Sequence, residues 1–254
     1  MTAAGVLLVA VALVASGVGA LSLPPGTTLA AAWHALTGQP TPGLEGIAAN
    51  LRFPRVALAA LTGAALGASG AALQGVFRNP LADPYLLGAA SGAVFGVTLA
   101  IAVTGGLGSA YATAVFAPGA GVGLLPLAAF AGALGAVLLA AWLARGRGSG
   151  SLVLAGVVVG SILTALSTFV MLRDADRLRA VFSWTLGNLT LAGWADVWHA
   201  APYVLISLVG LMLLARPLDA LQLGEDTAGT LGLRVSRLRL LIVAAASLAT
   251  AAVV

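Results

Sequence analysis

Residues Arg52–Ala93 read RFPRVALAALTGAALGASGAALQGVFRNPLADPYLLGAASGA. Two arginines stand at the mouth of an apolar run of helical length, Val56–Phe77. That run ends in a polar, proline-flanked turn, Arg78–Pro84, and a second apolar run opens beyond it with glycines at four-residue spacing. Charge at one end, a rigid turn at the other and close-packing glycines beyond predict a pore-lining hairpin rather than a plain membrane anchor.

The rest of the chain sets the medium in which that hairpin sits. Of 254 residues, 60% are hydrophobic and 8% charged, against about 25% charged in soluble proteins. Such a chain cannot cover a water-facing surface and reads as a polytopic membrane protein. The net charge is +4, but the basic residues are scattered between apolar runs and form no basic face, which excludes a nucleic-acid partner. All twelve basic residues are Arg. A P-loop needs a Lys to reach the nucleotide phosphates, so ATP-driven work falls to another subunit. Without Cys there is neither a disulfide framework nor thiol chemistry.

A membrane-spanning helix needs about 20 apolar residues. Candidates are Ala4–Leu23, Val56–Phe77, Tyr85–Thr104, Leu124–Ala144, Leu152–Leu172, Val197–Ala215 and Leu238–Val254. The first lacks the basic start of a cleaved signal peptide. The last is still apolar at Val254, so a C-terminally truncated chain is expected. Among the connections, Pro24–Leu51 is long and rich in Pro, Gly and Thr, whereas Arg145–Ser151 is short and basic. Basic residues favour cytoplasmic loops. Placing the N-terminus inside puts Arg78, Arg145, Arg147, Arg216, Arg234, Arg237 and Arg239 inside, with Arg52, Arg55, Arg173, Arg177 and Arg179 outside. The excess is small and favours that orientation modestly.

Several groups compete for a chemical role. Gly88, Gly92 and Gly96 fall on one helix face, as do Gly63 with Gly67 and Gly156 with Gly160, a spacing that lets helices approach closely in lipid. Gly67-Ala68-Ser69-Gly70 matches the G-x-S-G of intramembrane serine hydrolases. That chemistry needs a histidine base beside the serine, and His34 and His199 lie in unsuitable contexts. Asp174-Ala175-Asp176 could hold a cation, but Arg173, Arg177 and Arg179 surround it, so a solvated ion-paired loop is the better reading and no metal site is expected. A secondary transporter would need ionisable residues inside its helices, and the mid-helix regions offer essentially none. Arg52 and Arg55, three residues apart, share a face on a helical start. They are either snorkelling arginines or a docking point for carboxylates of a partner protein. Leu221–Leu233 (LQLGEDTAGTLGL) is too polar to span. With Leu223, Ala228 and Leu231 forming an apolar face, it predicts a short amphipathic helix at the membrane surface.

In this order, Arg52-Phe-Pro-Arg55, Gln74, Asn79-Pro-Leu-Ala-Asp-Pro84, Leu87-Gly88, Ser91-Gly92-Ala93, Leu154-Ala-Gly156, Trp184 with Gly187, and Leu223-Gly224-Glu225 followed by Leu231-Gly232 resemble the permease family of ABC importers for iron-siderophores, cobalamin and haem. The resemblance implies an all-α membrane bundle forming one permease domain over residues 1–254, with about seven of the family's roughly ten helices present. It implies a subunit of a binding-protein-dependent importer working by alternating access in the cell inner membrane, multi-pass with a cytoplasmic N-terminus. The chain would be no enzyme and would bind no cofactor, since ATP and Mg belong to the ATPase. Its partners would be a second permease chain in a homo- or heterodimer, two ATPase subunits, a substrate-binding protein and membrane lipid. Arg52 and Arg55 resemble the family's binding-protein docking arginines. Asn79 and Leu81 resemble cytoplasmic gate residues. Ser149 and Gly150 fall at a second gate, where the family's small polar pair is only half kept. Within residues 218–233, Leu223, Gly224, Glu225, Ala228, Leu231 and Gly232 resemble the coupling helix that docks on the ATPase. The segment after Leu172, toward Trp184, resembles the outer gate. Iron-siderophore is the favoured cargo as the commonest in the family.

Overall fold

The structure, a computed structural model, describes residues 2–103, 124–144, 150–173, 181–182, 185 and 192–253. Among these residues the fold is all-helical. In chain order it comprises α1 (Thr2–Gly17), α2 (Pro25–Thr37), α3 (Leu44–Ile47), a π-helical turn (Ala48–Arg52), α4 (Phe53–Phe77), α5 (Ala89–Val103), α6 (Leu124–Leu143), α7 (Gly150–Met171), α8 (Trp194–Leu213), α9 (Ala215–Gln222), α10 (Glu225–Thr230) and α11 (Val235–Ala251).

Each apolar run marked in the sequence contains a helix, but α1 stops at Gly17 and α5 begins only at Ala89, so both are shorter than the spans expected from Ala4–Leu23 and Tyr85–Thr104. Among the described residues, four stretches are long and apolar enough to cross a membrane: Leu44–Phe77, Leu125–Leu143, Ser151–Met171 and Trp194–Leu213. Only 22% of the Ser151–Met171 window is buried within the chain. Most of that helix is therefore left for lipid or another subunit.

Two connections differ from the sequence expectation. Pro24–Leu51 is largely helix rather than loop. Pro25 opens α2 at a position where a missing N–H costs nothing, and Gly38, at φ +69°, closes it in the left-handed conformation. Where one short amphipathic helix is expected over Leu221–Leu233, the chain instead ends α9 at Gln222, turns at Gly224 (φ +130°) and forms the shorter α10.

The chain divides into two compact units. The first comprises Met1–Leu61 and Asn188–His199. Its small core gathers Leu23, Ala31 and Ala48, with Phe53 packed against them. The second comprises Thr62–Gly187 and Ala200–Val254. Leu73, Leu87, Val97, Val137, Leu221 and Ile242 are fully buried in its core. Here α5 packs most closely on α6 and also on α7, while α11 lies against α6 and α5.

Candidate gate, groove and coupling elements

The turn after α4 is built by its own backbone. Arg78 N–H donates to Gly75 O at 3.3 Å and Asn79 N–H to Gln74 O at 3.1 Å. This is a Schellman cap, with Arg78 at φ +47° in the place glycine usually takes. The Asn79 side chain is buried and accepts the Leu81 N–H at 2.9 Å. Asp83 accepts the N–H groups of Tyr85 and Leu86. A second cap of the same kind closes on Gly88, where Gly88 N–H donates to Tyr85 O and Ala89 N–H to Pro84 O, both at 3.0 Å. With its polar groups satisfied internally, this rigid turn holds Leu81 outward at 67% exposure.

The same turn feeds a groove of about 470 Å³ whose wall includes Tyr85, Ser91, Gly156, Gly160, Ser161 and Thr164. Hydroxyls, bare glycine backbone and the apolar side chains of Leu86, Val157 and Ala165 line it, with no charged side chain. Its tight construction comes from the glycine seams. A Cβ on Gly156 would collide with the Leu86 carbonyl, and one on Gly88 would stand 3.4 Å from the Gly156 carbonyl. On the other side of α5, a Cβ on Gly92 would run into the Gly132 backbone and one on Gly96 into the Ala128 carbonyl. Gly132, which the sequence reading missed, is the reciprocal partner on α6. Its signal was the small pair Gly132 and Ala136 at four-residue spacing.

Around α9 and α10, Leu221 and Ala228 are buried in the core. Leu223 and Leu231 point outward at 74% and 63% exposure. The expected single apolar face of Leu223, Ala228 and Leu231 is therefore divided: Ala228 anchors inward while the two leucines flank α10 on the outside. Glu225 opens α10, and Gly232, at φ +78°, follows it. Gly75 near the end of α4 meets α9 directly, since a Cβ there would lie 3.0 Å from both Gln222 Nε2 and Leu218 Cδ1.

In the first unit, Arg52 is buried, at 9% exposure. Its guanidinium donates to the carbonyls of Ser16 at 3.1 Å, Gly17 at 2.8 Å, and Leu21. Arg55, one turn further, is half-buried. Trp194 Nε1 donates to Ala49 O at 2.9 Å. His34 Nδ1 lies 2.7 Å from Glu45, and His199 Nδ1 lies 2.6 Å from the Ala195 carbonyl. Ser69 is fully buried; its hydroxyl donates to Leu66 O at 3.1 Å and receives the Thr250 hydroxyl at 3.2 Å. These are the contacts of a helix-packing serine, with no base positioned to activate it among the described residues. Gly150 opens α7. Ser149, Asp174, Asp176, Trp184 and Gly187 lie outside the described residues.

Comparison with known proteins gives this arrangement a context. The chain is 36% identical over 89 residues to the Fe(3+) dicitrate transport system permease protein FecC of Escherichia coli, covering 35% of this chain and 27% of that protein. It is 37% identical over 101 residues to the cobalamin import system permease protein BtuC of Halobacterium salinarum, covering 40% and 27%. A third relative, the hemin transport system permease protein HmuU of Yersinia pestis, is 35% identical over 95 residues, covering 36% and 28%. The matched stretches thus span about a quarter of the length of these curated relatives. Among solved structures, a chain of an ABC transporter assigned to the metal-chelate type, in an inward-facing conformation, superposes with a TM-score of 0.68. That match is at 25% identity and covers 98% of this chain and 71% of the other. The family pattern itself runs through residues 6–254, and the chain belongs to the FecCD transport family.

Proposed function

We propose that the chain is the permease subunit of a binding-protein-dependent ABC importer that moves an iron-siderophore, or a related cobalamin or haem chelate, across the cell inner membrane. The carrying observation is the joined pair of turn and groove. One internally satisfied turn presents Leu81 at its tip and supplies Tyr85 and Leu86 to an uncharged wall of mixed hydroxyl and apolar character. A wall of hydroxyls, backbone and apolar side chains offers a few weak hydrogen bonds and no ion pair, which suits passage of a large chelate without trapping it.

In this reading two permease chains face each other across the path. Asn79 and Leu81, with Ser149 and Gly150, form the cytoplasmic gate. Residues 223–232 dock on the ATPase, with Leu223 and Leu231 as the contacting side chains. The contact of Leu218 and Gln222 with Gly75 then links ATPase movement to α4 and the gate turn. ATP and Mg are bound and ATP is hydrolysed in two partner ATPase subunits; this chain makes and breaks no bond. Arg52 and Arg55 belong to the end that meets the substrate-binding protein, and the N-terminus is cytoplasmic. The family membership and the names of the relatives support the reading.

The test is uptake by the full-length protein reconstituted with its ATPase and binding protein. Chelate should accumulate only with ATP. Replacing Leu223 and Leu231 together by Asp should abolish uptake and release ATPase activity from stimulation by the binding protein. Transport-linked hydrolysis unaltered by that double change would overturn the coupling assignment.

A further inference from the structure

Arg52 and Arg55 read as a matched pair in sequence, yet they are placed differently. A helix leaves its last four carbonyls without intrahelical partners, and α1 ends at Gly17. Arg52 covers that end: its guanidinium holds Ser16 O and Gly17 O, then reaches Leu21 O in the segment that follows. A cation there also meets the negative end of the helix dipole. The site is shaped for the group. A Cβ on Gly19 would stand 3.1 Å from Nη2 and 3.2 Å from Cζ of Arg52, so a side chain there would press on the guanidinium.

The turn that carries Arg52 is held from a second side. In the π turn the Phe53 N–H donates to Ala48 O. The next residue, Pro54, has no N–H to give to Ala49 O. The Trp194 indole N–H fills that position at 2.9 Å. Two side chains thus fix the backbone on which α4 begins, one turn before Arg55.

We propose that Arg52 is a positioning residue, whose clasp on the end of α1 sets the direction in which Arg55 presents its charge to the binding protein. This rests on the docking reading above and divides its labour. The contact charge is Arg55, and Arg52 acts through the backbone.

The experiment uses the full-length permease with its ATPase in lipid nanodiscs and its own binding protein, with the dissociation constant measured from 50 to 300 mM salt, together with thermal unfolding. A charge that contacts the partner contributes to the salt dependence of association. Arg55→Gln should weaken docking at low salt by about ten-fold and flatten its salt dependence. Arg52→Gln should lower the unfolding midpoint by about 5 °C and weaken docking by roughly three-fold, while the salt dependence keeps its wild-type slope. Arg52→Lys should recover part of both losses. Gly19→Val, which retains both arginines but displaces the guanidinium, should reproduce Arg52→Gln. If Arg52→Gln does not fold, Gly19→Ala carries the same comparison in milder form. The proposal is overturned if Arg52→Gln flattens the salt dependence as Arg55→Gln does. It is equally overturned if Arg52→Gln lowers stability and leaves docking intact, or if Gly19→Val changes neither stability nor docking. A silent Arg55→Gln would instead overturn the docking reading itself.

Discussion

Two glycine stripes with the same spacing have opposite surroundings in the second unit. On α5, a Cβ at Gly92 or Gly96 would drive into the backbone of α6. On α4, a Cβ at Gly63 or Gly67 would meet nothing within 4 Å. The four-residue spacing therefore indicates where helices can approach, not whether a helix of the same chain does so. The α5 stripe is committed within this subunit, while the α4 stripe is open in the isolated chain.

The sharpest way to break this comparison is Gly96→Ala. One methyl group has to push the α6 backbone away, and such overpacking costs about 3 kcal/mol. Size-exclusion yield and thermal unfolding in detergent should both fall. Gly75→Ala should be intermediate, near 1 kcal/mol. The atoms it meets are the far ends of Leu218 and Gln222, which can swing aside. Because those atoms belong to α9, uptake should fall relative to ATPase activity. Gly63→Ala and Gly67→Ala should each raise the unfolding midpoint of the isolated chain, by about 0.8 kcal/mol of helix propensity. If either instead lowers it in the assembled transporter, another subunit covers that face. The smallest effect should come from introducing a glycine: Arg78→Gly relieves a left-handed arginine and should stabilise by about 0.5 kcal/mol.

These particulars also mark how far the sequence could be read. The apolar runs were legible because membrane crossing imposes a length, and each holds a helix, though residues 18–23 and 85–88 are non-helical segments that the runs had counted as helix. The turn at Asn79–Pro84 was legible because its prolines and polar residues leave little choice. α2 was missed because Pro25 and Gly26 were read as loop residues, although proline at the start and glycine just past the end bracket a helix. The apolar face of Leu223, Ala228 and Leu231 assumed one continuous helix; Gly224 broke it, and the leucines fell on the outside. For Arg52 the spacing was legible but the direction was not. The three-residue rule assumes α geometry, and Arg52 closes a π turn. Nothing in composition announces that turn except Pro54, whose missing N–H became meaningful only beside Trp194.

The turn between α4 and α5 also has a consequence for the order of assembly during synthesis. Its hydrogen bonds link residues at most six apart, such as Gln74 Nε2 to Pro80 O at 3.2 Å. Contacts that close over so few residues form quickly and early. The hairpin can take its shape as soon as Ala89 has left the ribosome. The α5 seam must wait for α6 and α7 to be made and inserted. The turn is thus shaped before the bundle around it exists.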